Sequence, residues 1–95
     1  MKDISQTIFN VFTDLRDGDY TEPNENVKNE ILDYVTEINN AISSGIDSTK
    51  EVMDILEIIY EFHIYSKLYP EESKWIDQFI EKIYEKIWDG IQYYN

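Results

Sequence analysis

Apolar residues recur every three or four positions along almost the whole chain, which is the period of a helix with one buried face. No stretch alternates between apolar and polar residues as a half-buried strand would. Three glycines and two prolines divide the pattern into four segments. The sequence therefore predicts an all-α protein whose helices cover approximately residues 4–16, 24–43, 49–67 and 71–92.

Local signals mark the ends of these helices. Gly45 suits the left-handed position that follows the second helix. The segment Ser48-Thr49-Lys50-Glu51 matches a capping box, in which serine and glutamate side chains accept hydrogen bonds from amides at a helix start. Pro70 fits the first turn of a helix and not its interior, so the fourth helix is expected to begin at Pro70 or Glu71.

Short loops between four helices favour a small antiparallel bundle with up-down-up-down order, built as a single domain over residues 1–95. The alternative is a first helix packed across the other three. The third segment is apolar around most of its circumference, so we expect it at the centre of the bundle. The core stripe of the fourth segment consists of Ile76, Phe79, Ile80, Ile83, Ile87 and Ile91, with Trp75, Tyr84 and Trp88 beside it.

The composition is that of a chain that folds unaided, with 42% hydrophobic and 15% aromatic residues. No apolar run approaches the roughly 20 residues of a membrane span, and the first residues do not resemble a secretion signal. We therefore expect a cytoplasmic protein. The absence of cysteine excludes disulfides, thiolate nucleophiles and zinc–thiolate sites.

The residues needed for catalysis or metal binding are missing. The chain has one histidine and no Gly-rich phosphate loop. Tyr60 lies three residues before His63, so the Glu-x-x-His motif of di-iron bundles is absent. The segment 17–28 begins like a calcium loop, but its sixth and twelfth positions hold Glu22 and Lys28 instead of glycine and glutamate. We predict neither enzymatic activity nor a metal or cofactor site.

The net charge of −12 is spread evenly, because acids exceed bases by three in each quarter of the chain. Affinity for the phosphate backbone of nucleic acids depends on lysine and arginine, and no basic patch exists here. Direct nucleic-acid binding is therefore not expected. A basic protein, such as a nuclease or toxin, is the expected partner.

Acids on the fourth helix repeat every four residues and so form one row, with about 6 Å between steps. The row consists of Asp77, Glu81, Glu85 and Asp89. Two lysines at i,i+3 spacing, Lys82 and Lys86, are expected to offset part of the repulsion. Glu57 and Glu61 form another like-charge pair on the third helix. Such rows are either solvated faces or partner-binding surfaces.

Eight tyrosines and two tryptophans exceed what so small a core can bury, so several are expected at the surface. Tyr65, Tyr69 and Trp75 surround the turn before the fourth helix, with Glu71 and Glu72 beside them. Exposed aromatic rings are frequent binding hot spots, and surrounding charge steers a partner of opposite sign. This cluster is the first candidate contact patch; the alternative is that tyrosines edge the bundle with their hydroxyls in water.

The segment Lys67-Leu68-Tyr69-Pro70 places a tyrosine before a proline at a helix junction. In this step, and in size, helicity and acidity, the chain resembles the small acidic immunity proteins that neutralise bacterial nuclease toxins. Those proteins carry a Tyr-Tyr pair before the proline on a short third helix, whereas this step follows a long one. No residue role is therefore carried over. Phage inhibitors of host defence nucleases share this character, and some are nucleic-acid mimics.

Two functional hypotheses follow. The first is an immunity-type or anti-defence inhibitor whose acidic, tyrosine-rich surface occupies a basic nucleic-acid-binding or nuclease site on a partner. Its candidate partner-binding residues are Glu57, Glu61, Tyr65, Tyr69, Glu71, Glu72, Trp75, Asp77, Glu81, Glu85 and Asp89. The alternative is a self-associating structural or regulatory protein, in which the aromatic fourth helix packs against a second copy to give a homodimer.

Overall fold

The computed structural model describes residues 4–18 and 22–94, with side chains as far as residue 90. Its helices are α1 (Ser5–Arg16), α2 (Glu25–Ser43), α3 (Thr49–Leu68) and α4 (Ser73–Tyr94), and a 3-10 turn at Pro70–Glu72 leads into α4. No strand occurs in the two ranges, so the predicted all-α, four-helix architecture is confirmed. None of the four helices, over the residues described, meets the length and hydropathy that a bilayer span demands.

The ends of α2 and the start of α4 follow the chemistry of their terminal residues. The Asn24 side chain accepts a hydrogen bond from the Val27 N–H at 3.0 Å and so caps the first turn of α2. Gly45 adopts a φ of +76°, which confirms its predicted left-handed conformation after α2. Pro70 opens the 3-10 turn, as its fixed φ and missing N–H favour, and α4 itself begins at Ser73.

The start of α3 differs from the predicted capping box. The Ser48 hydroxyl donates backwards to the Ile46 carbonyl at 3.2 Å and makes no capping bond to the helix. Asp47 instead accepts hydrogen bonds from the Thr49 hydroxyl at 2.8 Å and from the Thr49 N–H at 3.1 Å. These two bonds hold the pKa of Asp47 below its usual range. Asp47 thus forms a local turn with Thr49 in front of the helix, and the predicted capping bond from Ser48 is absent.

Side-chain contacts show that α3 and α4 run antiparallel. The Ser66 hydroxyl donates to the Asp77 carboxylate at 2.6 Å. Further along α4, Tyr84 pairs with His63, which precedes Ser66 on α3, and their ring centroids lie 6.5 Å apart. Residue numbers therefore rise along one helix as they fall along the other.

By the same reasoning α2 and α4 are parallel, which is consistent with up-down-up-down order. Lys28 lies 5.9 Å from the Trp75 ring near the start of α4, and the Asn39 amide donates to the Lys86 carbonyl at 3.0 Å near its end. Gly90 permits this close packing, because a Cβ at this position would lie 2.3 Å from the Asn39 Cγ. The absence of a side chain at Gly90 thus leaves room for the Asn39 side chain between the two helices.

The centre of the bundle is α4, which packs closely on both α2 and α3, whereas α2 and α3 approach each other much less. The expectation that α3 is central is therefore wrong. α4 buries Trp75, Ile76, Phe79, Ile80 and Ile83, and α3 buries Ile55, Ile58, Ile59 and Phe62. The α1 backbone stays farther from the other helices, and its Phe12 ring reaches across to lie 4.9 Å from the Phe62 ring. The rest of the apolar surface of α3 is left in solvent.

Candidate protein-binding surface

One side of the α3–α4 pair carries a group of exposed apolar side chains, which we call the apolar face. It consists of Met53, Leu56, Tyr60 and Ile64 of α3 with Tyr84 and Trp88 of α4. Each is between 38% and 67% exposed. A soluble protein normally scatters such side chains singly, so a contiguous group is a candidate site for another macromolecule.

Helix geometry makes the apolar face continuous. Intervals of three, four and four residues align the α3 members along one line about 16 Å long. The Tyr84 hydroxyl lies 3.5 Å from the His63 Nε2, which joins α4 to α3 near the Ile64 end of this line. Trp88 lies one turn further along α4, and because the helices are antiparallel it stands beside the turn of α3 before His63. Tyr60 and Leu56 lie on the same side of α3 as His63.

The border on α4 is the predicted acid row, and all four of its members are exposed. Asp77 accepts the bond from Ser66, as described above. In the described part of the chain no lysine nitrogen comes within 4.0 Å of Glu81, Glu85 or Asp89, so the expected lysine partners do not form ion pairs with them. The negative potential along this border is therefore not locally neutralised.

The border on α3 is formed by Glu57 and Glu61, which also line a groove of about 340 Å³ between α1 and α3. Phe9 and Phe12 supply apolar walls from the α1 side. Burial raises the pKa of Glu61, the negative charge of Glu57 raises it further, and Arg16 partly opposes both effects. Glu61 is thus a partly desolvated carboxylate, and such a group interacts more strongly with a cation than a fully hydrated one does.

The predicted aromatic cluster at the turn before α4 is a packed junction. Tyr65 and Tyr69 stack with ring centroids 5.9 Å apart and an interplanar angle of 5°, and Tyr65 also stacks on Phe12 at 5.5 Å. Both tyrosines are half-buried, and burial raises the pKa of Tyr65. Glu71 is exposed beside them. Only the outer edges of these rings are available to a partner.

Trp75 was expected at the surface, and this is wrong, because it is only 7% exposed. Its indole N–H donates to the Glu72 carboxylate, and the Lys28 ammonium lies 5.9 Å from its ring. Lys28 is itself buried and pairs with Glu22 and with Glu25, the latter at 3.8 Å. This chain of contacts ties the start of α2 to the start of α4. Trp75 and Glu72 therefore stabilise the packing of α2 against α4.

The sequence interpretation placed Glu57, Glu61 and the α4 acid row among the partner-binding residues, and the structure brings these acids to the two borders of one face. It missed the apolar members of that face. The signal was present in the excess apolar residues of α3, which were interpreted as core. Over residues 4–18 and 22–94, no three acidic or histidine side chains are grouped so as to hold a metal ion.

Comparison with known proteins gives no match for this chain among protein-family models, curated proteins or solved structures.

Proposed function

We propose that this chain is an acidic protein-binding inhibitor, of the immunity or anti-defence type, that occupies a basic nucleic-acid-binding or nuclease site on a partner protein. One observation carries the proposal: the apolar face lies between two borders of carboxylates, and no lysine among the described residues forms an ion pair with them. Aromatic and large apolar side chains supply contact area, and charges at the rim steer the partner into place.

A site that binds single-stranded nucleic acid offers lysine and arginine to the phosphates and aromatic or apolar surface to the bases. The apolar face and its two borders carry groups that can contact both parts of such a site. Its carboxylates match the basic groups, and rings such as those of Tyr60 and Trp88 match the surface on which bases stack. Acidity alone would attract a basic protein without fixing how it docks, whereas the exposed rings add a position at which it can be anchored.

The test uses the purified, tagged protein as bait in an extract of the source cell, followed by elution in steps of increasing salt. We expect a basic partner that leaves the bait as the salt concentration rises, because screening weakens rim electrostatics. The purified partner should then lose its nucleic-acid binding or cleavage at a one-to-one ratio with this protein. Partners that are acidic or neutral and stay bound through the salt steps would contradict the proposal.

A matched pair of charge variants separates the face from overall acidity. Glu81→Lys with Glu85→Lys changes the α4 border, and Asp14→Lys with Asp33→Lys makes the same change in net charge at exposed positions on α1 and α2. We expect only the first variant to lose the partner, because net charge alone would weaken both equally.

The second candidate function is self-association, and the apolar face is the observation that favours it. A two-fold related copy would cover the exposed α3 line of its partner. The two functions respond to salt in opposite directions: screening weakens attraction to a basic partner but relieves the repulsion between two acidic copies. Light scattering across micromolar concentrations at low and high salt decides, since a monomer under both conditions removes self-association.

A further inference from the structure

We infer that the element that docks on the apolar face is a basic amphipathic helix of the partner, with apolar residues at helical spacing and lysine or arginine on both flanks. This inference rests on the proposed function and adds the chemistry of the partner to it.

The apolar part of the face matches a helix in spacing and length. Met53, Leu56, Tyr60 and Ile64 form a straight line of about 16 Å, which is about three turns of a helix laid alongside it. Tyr84 contacts His63 of α3, so Tyr84 and Trp88 of α4 lie along one side of this line. An amphipathic helix packed along such a line uses anchors at i, i+3, i+4 and i+7.

The charges favour a helix with two basic flanks. Glu81 and Glu85 border the apolar face on α4, and Glu57 and Glu61 border it on α3. An amphipathic helix with lysine or arginine on either side of its apolar stripe meets both borders at once. A nucleic acid has the wrong sign for these borders. A second copy of this chain would bring like charges together at both edges.

The probe is a synthetic peptide of about 18 residues, with leucine at i, i+3, i+4 and i+7 and lysine at the flanking positions. Trp88 provides the signal, since it is 56% exposed and Trp75 is already buried. We expect the tryptophan emission to shift to shorter wavelength as the peptide covers Trp88. The shift should be absent in Trp88→Phe, whose residual binding is followed by the anisotropy of a labelled peptide.

Two control peptides and one matched variant pair decide whether the apolar face is used. A peptide with serine in place of leucine and a peptide with scrambled order should each bind at least about tenfold more weakly. Leu56→Ser should weaken binding of the original peptide about tenfold, whereas Ile46→Ser should leave it within about twofold. Ile46 is 59% exposed, against 52% for Leu56, but lies before α3, outside the face. Equal affinity for all three peptides, or equal effects of the two variants, would overturn the inference.

The experiments can contradict the proposed function and the inference independently of each other. If the partner captured from cells depends on Glu81 and Glu85 but is indifferent to Leu56→Ser, the function stands and the helical docking mode is overturned. If the peptide binds as expected but no basic partner is captured, the function alone fails. A duplex DNA oligonucleotide that shifts Trp88 emission, or dimers that form whenever Trp88 is covered, would also overturn the inference.

Discussion

Replacing Gly90 by alanine probes how closely α2 and α4 are held together. The new Cβ would lie 2.3 Å from the Asn39 Cγ and 2.5 Å from its Nδ2, well inside ordinary van der Waals contact. Either the two helices separate by about 1 Å, or Asn39 turns away and gives up its 3.0 Å hydrogen bond to the Lys86 carbonyl. Both responses disturb the packing on which the central helix depends.

The free energy of the change has three parts. Alanine is favoured over glycine inside a helix by about 1 kcal/mol. Overpacking costs about 1–3 kcal/mol, and the lost hydrogen bond costs about 1 kcal/mol. Because overpacking and the lost hydrogen bond are alternative responses, we expect Gly90→Ala to lower the free energy of unfolding by up to about 2 kcal/mol. For a domain of this size that corresponds to a fall in Tm of at most about 15 °C.

Urea denaturation followed by circular dichroism at 222 nm measures the effect, and a double-mutant cycle with Asn39→Ala assigns its cause. Asn39→Ala removes the atoms with which the new Cβ collides, so Gly90→Ala should cost at least about 1 kcal/mol less in that background. Additivity within about 0.5 kcal/mol, or a Gly90→Ala protein more stable than wild type, would refute the proposed collision.

Three further substitutions test other parts of the structure. Asn24→Ala removes the α2 cap and should lower the free energy of unfolding by about 1 kcal/mol in urea denaturation. Ile83→Val, at a fully buried position, should lower it by about 0.5–1.5 kcal/mol, whereas Ile46→Val at the surface should change it by less than about 0.5 kcal/mol. Glu61 has a raised pKa, so its ionised form is disfavoured by the fold. Glu61→Gln should therefore stabilise the protein at pH 7, and the gain should vanish once acid protonates the wild-type carboxylate in both folded and unfolded chains.

The helices could be predicted closely because each boundary depends on nearby residues. Gly45 and Pro70 act through their own backbone geometry, and the core stripe of α4 follows from its spacing. The placement of α3 could not be predicted in this way. A helical pattern shows how apolar a helix is, but only the neighbours show which of its sides is covered, and α4 covers one side of α3.

Helix geometry, unlike composition, predicts which of the two tryptophans is exposed. Around α4, Trp75 lies about 40° from the buried Phe79, and Trp88 lies about 180° from it. Trp75 is therefore inside and Trp88 outside, although both flank the same core stripe. The contact of Trp75 with Lys28 was beyond sequence reasoning, because the two residues are 47 positions apart and meet only when α2 and α4 pack in parallel.

The apolar face is not required by the core. Leu56, Tyr60 and Trp88 are each more than half exposed, so polar residues there would leave most interior contacts unchanged. The acids beside them give no local stability either, since each like-charge neighbour at i,i+4 costs a few tenths of a kcal/mol. A surface selected for solubility alone would keep the acids and lose the aromatic rings, and selection for stability alone would bury the rings and space the charges. Rings and acids on adjoining turns serve neither need, whereas the docking of a basic partner proposed above would use both.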